Sequence, residues 1–277
     1  MGIKENIVRS IRKHTGENEF PIYVPSKGRS NISKTTKLLD EAALNYFIVV
    51  EPQDEADYKL NYNKNSILVI PENNMGIAYV RSFCKSDSIK RGAKYHFQLD
   101  DNINNILLKD TDEKYKRHCI CKTINTMSDI VTQYKNIGGV GLASDVFKFG
   151  YKYPFKLNKN IYSFCIFNNS TSSNWEKDIV EDTDYALQML FNGYVTVLLM
   201  DIVIKKETTM KLKGGNTEIS YSNNGREIRS NSLMKKYPGF FTTRLDNAGN
   251  LKIKPSRIWR QFTQEPNNIN NSVFMEK

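Results

Sequence analysis

The chain has 277 residues, of which 39% are hydrophobic and 11% aromatic, and its formal net charge is +10. This composition excludes a disordered chain, and the length suits one α/β catalytic unit with additions. No stretch approaches about 18 consecutive apolar residues, and residues 1–13 carry charges throughout. We therefore expect no membrane span, no secretory signal and a cytoplasmic location.

Strands and helices alternate over the first 200 residues. Short β-rich runs predict strands at 20–25, 46–50, 66–70, 95–99, 161–168 and 194–200. Apolar residues at helical spacing predict helices at 31–43, 76–90, 122–134 and 185–192, and the glycine run at 138–141 is interpreted as a turn. Strand, helix and strand in this order favour parallel pairing. The expected class is α/β, with a mixed, mainly parallel sheet flanked by helices.

The pattern changes after Asp201, where apolar runs shorten and Asn, Gly, Ser, Lys and Arg become more frequent. Residues 201–277 contain 14 Lys and Arg against 7 Asp and Glu, so they supply +7 of the net charge. We therefore expect a catalytic core at 1–200 and a basic C-terminal extension at 201–277. A basic surface attracts polyanions, most commonly nucleic acid. A solvated lysine-rich surface is an equal alternative on charge alone.

The four cysteines are too few and too scattered for a disulfide scaffold. Cys119 and Cys121 lack the spacing of a zinc site, so all four are predicted to be reduced thiols. The three histidines are isolated from any Ser or Cys motif, which argues against a hydrolase triad.

Three polar segments follow predicted strands, where ligands bind in open α/β sheets. Asp100-Asp101-Asn102 offers the hard oxygen ligands that Mg²⁺ or Mn²⁺ prefers, although a turn or helix cap is the common alternative. Glu181-Asp182 precedes a predicted helix and offers either a general base or a cap. Lys27 and Arg29 flank Gly28 and offer cations to a nucleotide, unless this is an ordinary solvated turn.

The segments IYVPSKGR, MGIAYVR, FQLDDN and VEDTDYAL, in this order, resemble those of the GT-A glycosyltransferases. They look most like the TET-associated glycosyltransferase family of phage and eukaryotic DNA-modifying systems. The resemblance implies a Rossmann-like GT-A domain, a UDP-sugar donor and a divalent cation, Mn²⁺ or Mg²⁺. It also implies transfer to the hydroxyl of a 5-hydroxymethylpyrimidine in phage DNA, with 5-hydroxymethylcytosine favoured.

The same resemblance implies roles for individual residues. Asp182 would be the base, with Glu181 the less favoured candidate, and inversion follows if no enzyme nucleophile intervenes. Asp101 and Asp100 would hold the metal, but Asn102 replaces the last acid of the usual Asp-x-Asp, so the choice between them stays open. The residues expected to bind the nucleotide-sugar are Pro25, Ser26, Lys27, Arg29, Gly76, Ala78, Arg81, Asp100, Lys213, Gly214 and Gly215.

A DNA acceptor would give the basic extension a function. The protein must approach DNA along its phosphates, and the target base must be flipped out of the duplex. The expected DNA contacts are Arg226, Arg229, Lys235, Lys236, Arg257, Trp259 and Arg260. Two other hypotheses stay open: a GT-A enzyme that acts on a glycan or protein, and a basic DNA-binding protein without catalysis.

Overall fold

A mixed sheet of ten strands lies at the centre of the computed structural model, which describes residue 7 and residues 19–110, 114–147, 153–207, 214–215, 225–245 and 251–257. The strand order is β3-β2-β1-β4-β9-β7-β10-β5-β6, and β8 pairs with β10. The strands are β1 (Ile22–Pro25), β2 (Phe47–Val50), β3 (Ile67–Val69), β4 (Tyr95–Leu99), β5 (Ile103–Lys109), β6 (Tyr115–Arg117), β7 (Ile137–Ser144), β8 (Phe155–Leu157), β9 (Phe164–Asn168) and β10 (Val195–Lys206).

Five α-helices accompany these strands in the described part of residues 19–207. They are α1 (Lys34–Glu41), α2 (Glu55–Asn61), α3 (Ile77–Lys90), α4 (Ile120–Gln133) and α5 (Glu181–Phe191). Strands β3, β2, β1 and β4 are parallel because helices carry the chain back between them, and β7 and β10 are also parallel. Strand β9 runs antiparallel between β4 and β7. The predicted α/β class, a mixed sheet flanked by helices, is confirmed.

The glycine run at 138–141 is not a turn, which corrects the prediction. It lies inside β7, whose residues are buried almost throughout. A Cβ atom on Gly139 would lie 2.7 Å from Ile161 Cδ1, and one on Gly141 would lie 2.6 Å from Ile161 Cβ. The glycines therefore allow the segment before β9 to pack directly on the strand, and glycine in a strand is a sign of such close approach.

Strand β10 is longer than the strand predicted at 194–200 and continues past Met200 to Lys206. The expected boundary at residue 200 falls inside this strand. Residues 202–206 pair with β5, an element that the sequence did not indicate, and this pairing carries Lys206 to the site described below.

A helix and a hairpin follow in the described part of residues 201–277, where only loops and short elements were expected. Helix α6 spans Gly225–Lys236, and β11 (Phe241–Leu245) pairs with β12 (Leu251–Pro255). Leu233 and Tyr237 are buried against Ile179 and Leu187 of the core. The sequence did not predict helix α6, because few of its residues are apolar and because the helix is buried only by packing on the rest of the protein.

Two further expectations concern the cysteines and the membrane. Cys119 and Cys121 form a disulfide, which corrects their prediction as reduced thiols. Their Cα atoms are 5.5 Å apart, within the usual range for such a bond. Cys84 and Cys165 are buried free thiols. Among the described residues, no helix has the length and apolar character to cross a membrane.

Candidate active site

A cavity of about 250 Å³ opens where β1, β2 and β4 end, at the edge of the sheet where ligands of α/β proteins bind. It combines the three segments that the sequence indicated with residues from β10 and α6. Its lining consists of Pro25, Ser26, Lys27, Arg29, Val49, Val50, Glu51, Ile77, Val80, Arg81, Asp100, Asp101, Asn102, Tyr162, Ser163, Glu181, Asp182, Lys206, Gly215 and Arg229. We call this space the donor cavity, after the nucleotide-sugar that the resemblance of the motifs implies.

Asp101 holds the loop after β1 in place. Its Oδ2 accepts a hydrogen bond from Ser26 Oγ at 2.6 Å, and its Oδ1 lies 2.6 Å from Arg29 Nη1. Its carbonyl accepts from the N–H groups of Lys34 and Thr35 at the start of α1. Burial raises the pKa of Asp101, and the Arg29 charge opposes that rise. Both carboxylate oxygens are therefore engaged by the protein.

Asp100 instead turns toward the cavity, with 31% of its side chain exposed. Its Oδ1 lies 3.6 Å from Arg81 Nη2, and its Oδ2 lies 3.5 Å from Lys206 Nζ. Lys206 also donates to Ser163 Oγ at 2.8 Å. Burial opposes ionisation, but the charges of Lys206 and Arg81 outweigh it and lower the pKa of Asp100. Asp100 is thus a carboxylate at neutral pH.

Asp182 lies in the first turn of α5 and faces the same space, with 28% of its side chain exposed. Its Oδ1 is 3.3 Å from Arg81 Nη2, so the buried Arg81 guanidinium joins Asp182 to Asp100. Burial raises the pKa of Asp182 to about 7, although the Arg81 charge lowers it. A carboxylate that titrates near neutrality suits proton removal from a hydroxyl.

Glu181 points toward helix α6 instead. Arg229 Nη2 lies 2.6 Å from Glu181 Oε2, and Arg229 Nε donates to the carbonyl of Ile179 at 2.9 Å. Only 10% of the Glu181 side chain is exposed. Of the two predicted base candidates, Asp182 therefore has the more accessible carboxylate, and Glu181 forms an ion pair that attaches α6 to the core.

A family model described as TET-Associated Glycosyltransferase matches residues 20–215, well over half of the chain. The chain belongs to this family. It is a glycosyltransferase of the TET-associated type, as its ordered motifs implied. The matched range contains both acidic pairs and the lining of the donor cavity as far as Gly215, and it ends before α6. A comparison with curated proteins gave no match.

The other residues expected at the nucleotide-sugar site of this glycosyltransferase occupy several places. Gly76 precedes α3 with φ of +82°, and Ala78 is buried with Trp175 and Tyr185, so neither lines the cavity. Gly214 contributes its carbonyl, which accepts from Arg29 Nη2 at 3.0 Å. The expected residues in the lining are Pro25, Ser26, Lys27, Arg29, Arg81, Asp100 and Gly215, and Lys213 lies outside the described residues.

The residues that were expected to contact DNA are also found in different environments. Lys236 forms ion pairs with Asp184 at 2.8 Å and Glu176 at 2.5 Å, so it helps to attach α6 to the core. Arg229 is bound to Glu181 as described above. Arg226, Lys235 and Arg257 are exposed, and Trp259 and Arg260 lie outside the described residues.

Among the lining residues that were absent from the predicted site, three are ionisable: Glu51, Lys206 and Tyr162. Glu51 directly follows β2 and forms a 2.7 Å ion pair with Lys27, so the strand-end rule applied to β2 would have found it. Lys206 required the length and pairing of β10, which the sequence did not indicate. Tyr162 lies just before β9, inside a run that was predicted to be entirely strand.

Among the residues that line the donor cavity, Asp100 is the candidate ligand for a divalent cation. A hard cation often uses one or two carboxylates and completes its coordination with substrate phosphates and water. Asp100 is the more exposed of the two aspartates, and a cation there would have to displace Arg81 and Lys206 from its two oxygens, whereas the oxygens of Asp101 are buried against Ser26 and Arg29. Within the described residues, no group of three or more Asp, Glu, His or Cys side chains forms a complete metal site. A bound cation would therefore need oxygens from the donor.

Proposed function

We propose that this glycosyltransferase moves a sugar from a UDP-sugar to the hydroxyl of a 5-hydroxymethylpyrimidine in DNA, with 5-hydroxymethylcytosine favoured. The observation that carries the proposal is the pair of accessible carboxylates, Asp100 and Asp182, joined by Arg81 in one cavity. Their pKa values differ in direction, because Lys206 contacts Asp100 and keeps it ionised. Two carboxylates with separated pKa values suit two different tasks.

Asp100 belongs to the donor side in this proposal. Arg81 and Lys206 bring positive charge beside it, and Lys27 and Arg29 lie in the same lining. Lys27 and Arg29 are already paired with Glu51 and Asp101, so Lys206 and Arg81 would be the main cations to attract the diphosphate and stabilise the charge that develops on the departing UDP. A Mn²⁺ or Mg²⁺ ion held by Asp100 and the diphosphate oxygens would supply further charge neutralisation when bound.

Asp182 acts on the acceptor. Its carboxylate removes the proton from the acceptor hydroxyl while the hydroxyl oxygen forms a bond to the anomeric carbon. The bond from that carbon to the phosphate oxygen breaks, and its electron pair leaves with UDP. A single displacement of this kind inverts the anomeric configuration, because the acceptor attacks from the face opposite the departing UDP.

The test incubates the protein with Mn²⁺, hydroxymethylated duplex DNA and a panel of UDP-sugars that includes glucose and arabinose donors. UDP release is measured together with the mass of nucleosides from digested DNA. We expect release with at least one donor and a matching mass increase on the modified pyrimidine. Transfer to glycan or protein acceptors without transfer to DNA would contradict the proposed acceptor. Loss of both signals with every donor would contradict the proposal as a whole.

A further inference from the structure

A second cavity lies beside the donor cavity, between the central sheet and the unit formed by α6 and the β11–β12 hairpin. Its volume is about 820 Å³, within the range of about 300–1,000 Å³ that is usual for ligand sites. Tyr162 and Arg229 line both cavities. The two spaces therefore share a wall, and we call the second one the acceptor cavity.

The walls of the acceptor cavity are mainly apolar. Leu198 and Met200 come from β10, Leu233 from α6, and Phe241 and Ile253 from the hairpin. Apolar walls that include the aromatic ring of Phe241 suit a planar heterocycle that has left the stacked interior of a duplex.

The polar part of the same lining has one sign of charge. The described lining contains no Asp or Glu. It contains five cationic side chains, which are Lys156, Lys159, Arg226, Arg229 and Lys252. Arg229 already pairs with Glu181, which belongs to the donor cavity. The phosphates on either side of a nucleotide would interact with positive charge at this cavity, and a neutral glycan would not. The combination of apolar walls with charged residues that are all cations in the described lining therefore favours a nucleotide.

The position of Asp182 connects the two cavities. Asp182 lines the donor cavity, and its neighbours Val180 and Thr183 line the acceptor cavity, so the start of α5 separates the two spaces. A group that reaches Asp182 from the acceptor cavity would have to pass Tyr162 and Arg229, which line both spaces. This is the path that an acceptor hydroxyl needs.

We propose that the acceptor cavity receives a single nucleotide extruded from DNA. Its base lies against the apolar walls, and Lys156, Arg226 and Lys252 contact the phosphates at the rim. The hydroxymethyl group then points toward Asp182. The assignment rests on the proposed function, and it adds the cavity and the residues that would receive the flipped base.

The experiment compares two triple variants that remove the same number of charges. The test variant is Lys156→Ala/Arg226→Ala/Lys252→Ala, and the control is Lys37→Ala/Lys64→Ala/Lys90→Ala, whose sites are exposed and outside both cavities. The DNA probe carries 2-aminopurine next to hydroxymethylcytosine, because its fluorescence increases when the neighbouring base leaves the stack. Wild type and control should bind and increase the fluorescence. The test variant should bind on the order of 30-fold more weakly, with a salt dependence reduced by two to three contacts.

A second comparison separates base insertion from attraction to phosphates. Ile253→Trp places a larger side chain in the acceptor cavity, and Leu60→Trp adds the same group at an exposed position. Ile253→Trp should reduce the fluorescence increase by at least threefold while DNA affinity falls less. Melting temperatures of all variants check that each one folds.

The outcomes distinguish this inference from the proposed function. Equal DNA affinity in the two triple variants, or no fluorescence increase with wild type, overturns the acceptor cavity. UDP release and DNA mass are measured in the same samples. Base extrusion that requires the three cations supports the acceptor cavity even without UDP release, and that result would contradict the proposed function alone.

Discussion

The two acidic pairs, Asp100-Asp101 and Glu181-Asp182, are built alike although one ends a strand and the other starts a helix. In each pair, one member is bound by an arginine from another element: Arg29 holds Asp101 and Arg229 holds Glu181. The other member is accessible and faces the donor cavity, where both accessible carboxylates contact Arg81.

The pairs differ in one cation. Lys206 lies 3.5 Å from Asp100, whereas Arg81 is the only cation paired with Asp182 among the ion pairs of the described residues. Burial raises the pKa of Asp182 to about 7, while Lys206 and Arg81 outweigh the effect of burial on Asp100 and lower its pKa. Chemically similar residues thus acquire different roles from the positions of nearby cations rather than from their order in the chain.

The largest expected effect separates the members of the second pair. Asp182→Asn should lower kcat about 10³-fold, because it removes the base but retains the shape of the side chain. Glu181→Gln is the matched comparison and should cost less than about tenfold at pH 8. Single-turnover transfer to hydroxymethylated DNA measures both. Equal losses in the two variants would remove the distinction between them.

The two members of the first pair should differ in role, with Asp101 contributing to stability and Asp100 to donor binding. Asp101→Asn removes the carboxylate charge that faces the buried Arg29 guanidinium, so we expect the free energy of unfolding to fall by about 3 kcal/mol. Asp100→Asn should leave unfolding within about 1 kcal/mol of wild type, because its carboxylate is partly exposed, and should raise the KM for the UDP-sugar. Urea unfolding and donor titrations test both variants. A stability loss at Asp100 as large as that at Asp101 would break the comparison.

The pH profile tests the raised pKa of Asp182. A base works in its deprotonated form, so kcat/KM should rise about tenfold per pH unit below 7 and level off above it. Initial rates between pH 5.5 and 8.5 in buffers of constant ionic strength give the profile. A flat profile over this range would show that no group with this pKa controls the reaction.

The smallest expected effects are opposite shifts of that profile. The Glu181 charge raises the pKa of Asp182 and the Lys206 charge lowers it. Glu181→Gln should therefore move the rise of the profile to lower pH, and Lys206→Met should move it to higher pH. The direction of the shift is the measurement, since Lys206→Met also weakens the donor side. Shifts of the same sign would contradict the assignment of the titrating group to Asp182.

Part of this site could be predicted from the sequence because strand ends carry their own signal. The buried run at 95–99 followed by two aspartates placed Asp100 and Asp101 at the ligand-binding edge, and the same reasoning located Lys27 and Arg29. The glycine run in β7 misled the same reasoning, because glycine marks both turns and places of close packing. Helix α6 was missed because its burial depends on a surface formed by distant residues.

The sequence by itself determined the α/β class, the order of the motifs and the acidic residues at their ends, since all of these are local patterns. Only the tertiary structure decided which acid of each pair faces the cavity. That choice depends on Arg81, Arg29, Lys206 and Arg229, which come from other elements and meet the acids through sheet pairing and helix packing. Charge interactions depend on distance in space, and sequence separations of up to 106 residues conceal such distances.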